Sequence, residues 1–278
     1  MKGILKIIKF ILITIITICI TAIILISTIS STILKEQYIT KKLEETNFYS
    51  ETYELVKSNF ENYIYQSGLE EEVLNGICTQ EKVIKDVNII ISNIYEGSNE
   101  TISTEEISQK LNENIANLNI KNTDSVKQFI SHICDEYIDT IIHTQYEGKI
   151  NDIYKEVTQL LNKSLTGFII STIFLVVLLI LTNINQMFKM VQDAGITLLA
   201  TSSLGLISCK IITDKVYISG IKIFNDTFSK VIVTIIQDII SDIVKIENTL
   251  LITSVVVIIV YVIISITKDS KKETVEKL

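Results

Sequence analysis

Four stretches of this chain carry no charged residue: 10–34, 164–188, 194–209 and 248–267. Runs of this kind limit the fold more than any motif in the sequence does. A helix of about 20 mostly apolar residues crosses the hydrocarbon core of a bilayer. Three of the runs reach that length outright. The third, AGITLLATSSLGLISC, is short and rich in small residues. It reaches a spanning length if Lys210 snorkels and the helix continues through Ile211, Ile212 and Thr213. The expected fold is all-α and integral to a membrane. Four transmembrane helices are expected, at 10–34, 164–183, 194–213 and 248–267. With 47% apolar residues overall, the chain has the apolar excess this requires.

Basic residues orient the spans. There is no arginine, so the signal rests on 25 lysines. Lys2, Lys6 and Lys9 fall in the tail 1–9, and four more fall in the tail 268–278. Lysine-rich tails favour the cytoplasmic side. Both termini are therefore expected in the cytoplasm of a bacterial cell, the chain being a multi-pass protein of the cytoplasmic membrane. The short 184–193 stretch becomes a cytoplasmic loop. The first run is too long for the apolar stretch of a cleaved signal peptide, about 7–15 residues, and reads as an uncleaved anchor.

On that topology residues 35–163 form an extracytoplasmic domain. This segment holds 12 lysines against 23 acids, a net −11, while the rest of the chain is +4. So acidic a domain is a poor nucleic-acid binder and suits cations or basic partners. Its apolar residues recur at helical spacing: Tyr49, Tyr53, Val56, Phe60 and Tyr63; Val83, Val87, Ile90, Ile91 and Ile94; Ile107, Leu111, Ile115 and Leu118. Six or seven helices are expected. Proline is absent, so the breaks must come from Asn and Gly, near Asn47, Gly68, Gly97, Asn122 and Gly148. Capping boxes are expected at Ser67–Glu70 and Ser103–Glu106. The acids Glu70, Glu71 and Glu72 then belong to a helix's first turn rather than to a calcium site.

Neither connection between this domain and the membrane holds a Gly or Pro, so both read as continuous helices, acting as a stalk or, less simply, as a lever. Ile150, Ile153, Tyr154, Val157, Leu160 and Leu161 make an a/d-like stripe on the second connection. The segment 214–247 is expected outside the membrane. Within it, Phe228, Val231, Ile232, Ile235, Ile236, Ile239, Ile243 and Ile246 form the wide apolar face of an amphipathic helix. That helix either packs under the outer domain or lies on the membrane surface. In the third span Thr197, Thr201, Gly205 and Ser208 fall near one face, where small residues let helices approach closely.

Candidate chemistry is sparse. The stretch HICDEYIDTIIH, 132–143, holds both histidines. His132, Glu136, Asp139 and His143 fall within roughly 60° of one helix face, and imidazole with carboxylate can bind zinc. Four ligands spread over three turns of one helix cannot converge on one ion, so the ordinary reading is a solvated polar face. Cys19 and Cys209 read as small apolar packers in the spans. Cys78 and Cys134 lie outside, where a disulfide between them could survive. HExxH, GxSxG, P-loop and CxxC patterns are all missing, so no catalytic residue and no cofactor is expected. No charge falls inside a run, which argues against a proton-coupled carrier and leaves open an oligomeric pore lined by Thr and Ser.

Through Phe48–Tyr49, Gly68–Leu69, Val73–Leu74, Val83, Asp86, Tyr95 and Gly97, the chain resembles an uncharacterised family of integral membrane proteins of low-GC Gram-positive bacteria. The pattern covers about a fifth of the chain and is loose. The resemblance implies a membrane location and a helical extracytoplasmic domain, and no activity. Up to the second span the layout is also similar to that of four-helix chemosensors, but no cytoplasmic output domain follows. Three functions are carried forward. The first is a non-enzymatic accessory or scaffold of the cell envelope, whose outer domain binds a protein partner. The second is a subunit of a transporter or channel, with homo-oligomers as one form. The third is a metal-dependent membrane enzyme.

Overall fold

Uncharged runs of this length, with no proline to interrupt them, fold as long helices, and the computed structural model has four. It describes residues 2–142, 147–184, 188–222 and 226–276. Among these the regular structure is entirely helical. The long helices are α1 (Lys2–Thr32), α7 (Glu147–Thr182), α8 (Phe188–Lys215) and α9 (Asp226–Glu276). Between α1 and α7 lie α2 (Glu36–Glu45), α3 (Phe48–Ser67), α4 (Gln80–Glu96), α5 (Glu105–Asn117) and α6 (Asp124–Ile142). A 3-10 turn at Glu71–Leu74 and another at Ile218–Gly220 complete the described elements.

All four long helices are long and apolar enough to cross a membrane. Their outward faces carry Ile170, Phe174, Ile252, Ile263 and many similar side chains exposed. Soluble proteins rarely leave contiguous apolar surface on that scale uncovered. Hydrocarbon is the solvent that suits it.

The chain divides into two units. The first contains residues 1–32, 159–221 and 236–278, and holds most of the long apolar helices. In it α1 packs along α8, while Leu12 and Ile16 of α1 meet Leu179 of α7 in a small apolar core. Helix α9 lies antiparallel against α8. A Cβ on Gly195 would stand 2.8 Å from Cγ1 of Ile258, and one on Gly205 would fall on the Glu247 side chain. Small residues at 195 and 205 are what allow this approach.

The second unit contains residues 33–158 and 222–235. Helix α3 packs on α4 and α6, and α5 on α6. Val56, Phe60, Val83, Ile107, Leu111, Ile133 and Tyr137 are fully or almost fully buried at its centre. The helical spacing read from the sequence finds most of these. It misplaces Tyr63, which is half-exposed, in favour of buried Ile64. The breaks at Asn47, Gly68 and Gly97 fall at residues in the left-handed region, with φ of 58°, 71° and 71°. Asn and Gly adopt that conformation most readily.

Several expectations are corrected. Helix α1 stops at Thr32 and α2 begins at Glu36, so the first connection is not one helix. The hydroxyls of Ser31 and Thr32 bond back to Thr28 and Ile29 carbonyls there, as those of Thr14, Thr21 and Thr28 do within α1. The second connection is continuous, in α7, but Ile153 and Leu160 of its a/d-like stripe are exposed. No helix begins at Ser67. Its hydroxyl instead accepts from the Leu69 amide just past the end of α3. At the second expected box, Ser103 accepts from Glu105 while Thr104 is the cap residue. The amphipathic segment and the last span are not separate elements: both belong to α9.

Candidate functional site

Along α9 the buried residues Val231, Ile235, Ile239 and Ile243 recur every fourth position. The next member of that series is Glu247, and it is 0% exposed. Ile246, expected on the apolar face, is instead 40% exposed. Neither carboxylate oxygen of Glu247 has a hydrogen-bond partner. Opposite it stands Gly205 of α8, where even a methyl group would collide with the Glu247 side chain from Cγ outward. The carboxyl thus occupies the space that the absent side chain of Gly205 leaves. Glu247 borders the fourth uncharged run, and its carboxyl faces Gly205, which lies inside the third.

Around this pair the α8 face is small and polar. Thr197, Thr201, Ser202, Gly205 and Cys209 are buried. Ser208, placed on this face from the sequence, is only partly buried, and Cys209 takes its place. The hydroxyls of Thr197, Thr201 and Ser202 donate to carbonyls of their own helix. So does Ser254 of α9, to Leu251. Each hydroxyl oxygen keeps lone pairs that its own helix does not use.

A second polar group lies toward the other end of α8. Asp193 accepts a 2.7 Å hydrogen bond from the Asn183 amide and pairs with Lys9 at 3.8 Å. The Lys9 ammonium also donates to Asn183 Oδ1. The Asn183 amide additionally reaches the Leu179 carbonyl. This network ties α1, the end of α7 and α8 together with its charges balanced. Twelve residues of α8 separate Asp193 from Gly205, about 18 Å at 1.5 Å per residue. The hydrocarbon core is about 30 Å thick.

A cleft of about 450 Å³ opens beside the C-terminal end of α8, lined by Thr213, Asp214, Tyr217, Gln237, Ile240 and Ser241. Ile240 is two turns from Glu247 on the same side of α9.

In the other unit the histidine-bearing stripe is divided. His132 is exposed and stacks on Tyr63, with ring centroids 6.3 Å apart. Glu136 accepts from the Asn59 amide at 2.8 Å, and the same amide reaches Thr140. Asp139 is exposed. His143 lies outside the described residues. Among the described residues no three His, Cys, Asp or Glu side chains gather as a metal cluster. Cys78 and Cys134 are both free thiols. Burial pushes Cys78 up to about 11 and raises Cys134 as well.

The buried polar group that the sequence reading missed in this unit joins α4 and α6. The Tyr137 hydroxyl donates to Asp86 at 2.6 Å, and Lys82 pairs with Asp86 at 3.0 Å. Lys82 also lies over the Tyr137 ring and donates to the Ser103 carbonyl. Each member has a partner, which makes this a structural network rather than a reactive one. The i, i+4 spacing of Lys82 and Asp86 was visible in the sequence, but Tyr137 was not assignable to it.

No family model, curated protein or solved structure matches this chain.

Proposed function

We propose that this chain is a subunit of a cation-coupled transport system in the bacterial cytoplasmic membrane, and that Glu247 is its working group. One observation carries the reading: a fully buried carboxylate with neither oxygen bonded, in a helix apolar enough to span. Ionisable groups inside spanning bundles are costly, and they mark ion pathways and proton relays. A chain built only to anchor a domain would place another isoleucine at 247. Lysine placement supports both termini in the cytoplasm and residues 35–163 outside.

The test is reconstitution of the full chain in liposomes, with proton, sodium and potassium fluxes read by entrapped dyes. Wild type should conduct or exchange at least one of these ions above protein-free vesicles. Glu247→Gln should remove that flux. Equal flux from both proteins, or none from wild type, would sink the reading.

A second reading keeps the chain as a non-enzymatic envelope accessory whose outer domain binds a basic protein. Its support is the net −11 of residues 35–163, on a unit with its own core. Crosslinking in native membranes tests it. Recurrent attachment of a single envelope protein to residues 36–162 favours this reading, and self-crosslinks alone remove it.

A further inference from the structure

We infer that Glu247 and the α8 face around Gly205 form a binding site for a monovalent cation, either a proton or an alkali-metal ion. The inference rests on the transport reading's site and names what that site takes.

The first argument is charge. An ionised carboxylate without a partner, wholly removed from water, costs several kcal/mol. Chains avoid that cost by pairing the group or by binding a cation to it. Among the described residues no lysine pairs with Glu247. Lys245 is engaged with Asp242 at 2.9 Å, and Lys210 points outward. From α8, the titratable group on the facing side is Cys209, a neutral thiol one turn past Gly205. From α9, the neighbours one turn away on the same face are Ile243 and Leu251, both apolar. None of these supplies a positive charge.

The second argument is shape. The carboxyl sits in a seat that only glycine at 205 leaves open. A carboxyl that merely intruded by accident would not need its facing helix cut back to a hydrogen atom.

The third argument is valence and access. Calcium takes six to eight oxygen ligands, usually with more than one carboxylate. Here there is one carboxylate, and the buried hydroxyls of Thr201 and Ser202 lie about one helical turn along α8 from Gly205. A lone carboxylate matches a single charge. The cleft beside Thr213 and Gln237 offers water a route to within about two helical turns, roughly 10 Å, of the carboxyl.

Dicyclohexylcarbodiimide tests the site directly, because it adds to protonated carboxyls in apolar surroundings and leaves a stable acylurea. The full chain in native membranes is treated across a pH series, at low and high sodium and potassium, and its peptides are weighed. We expect an adduct on Glu247 that is lost in Glu247→Gln and kept in Glu247→Asp. Loss of labelling with rising pH alone identifies the proton as the ligand. Protection by sodium or potassium at fixed pH identifies an alkali-ion site. No adduct on Glu247 under any condition, or one indifferent to pH and to both salts, overturns the inference. Labelling without ion flux in liposomes would leave the site standing and remove the transport reading. Flux without labelling would do the reverse.

Discussion

Tyr137 shows how a single side chain holds the second unit together. Its ring is fully buried against Phe60, and its hydroxyl donates to Asp86. Burial first, then the bond to Asp86, raises the Tyr137 hydroxyl far above its ordinary range. Burial likewise pushes Tyr49 up to about 12 and raises Tyr95. In the unfolded chain these phenols ionise near pH 10. Folding therefore holds protons that unfolding releases, so the stability contribution is complete below about pH 10 and is lost above it. A thermal melt of the detergent-solubilised chain should fall steeply above about pH 10. Tyr137→Phe should lower stability by about 1.5–3 kcal/mol, the range for a hydrogen bond to a charged group. Lys82→Ala should cost about 3–5 kcal/mol, because it leaves Asp86 buried without its cation. Both are read from urea titrations of the full chain. Cys78 and Cys134, raised by burial, should alkylate much more slowly in the folded chain than in the unfolded chain at pH 8.

At the scale of the helix, α9 joins two segments that the sequence kept apart. A charged residue at 247 ends an uncharged run, yet Glu247 continues the buried four-residue series of α9 and falls opposite Gly205. The series Val231, Ile235, Ile239, Ile243 was legible, and extending it by one step would have found the site. What was not legible is the partner helix, since nothing local in the sequence sets the register of α9 on α8. The long runs, the absence of proline and the breaks at Asn47, Gly68 and Gly97 were legible because they act through local backbone chemistry. The break at 33–35 was not, since no Gly, Pro or Asn marks it. Gly205→Ala should displace the Glu247 carboxyl and cost about 1–3 kcal/mol, the usual range for overpacking, and Gly205→Leu should disrupt the α8–α9 contact. Asp193→Ala should weaken the α1–α8 pairing by about 3–5 kcal/mol, since it strands Lys9 partly buried. Thermal denaturation in detergent checks all three.

For the whole molecule, four long helices with exposed apolar faces make sense only with hydrocarbon around them. At about 1.5 Å per residue the 51 residues of α9 extend about 76 Å, more than twice the hydrocarbon core. Only part of α9 can therefore be embedded, and the account places residues 248–267 there, with Glu247 at or inside the boundary. Nitroxide side chains placed singly at Ile252, Ile259 and Ile263, and at Ser241 and Lys245 for comparison, measure this directly. In reconstituted bilayers, collisions with oxygen report lipid, and collisions with a water-soluble nickel chelate report water. The account predicts that oxygen collisions dominate at 252, 259 and 263 and that nickel collisions dominate at 241. Nickel collisions dominating at all five positions would contradict it, because α9 would then lie outside the membrane and the buried carboxyl would have no bilayer to serve.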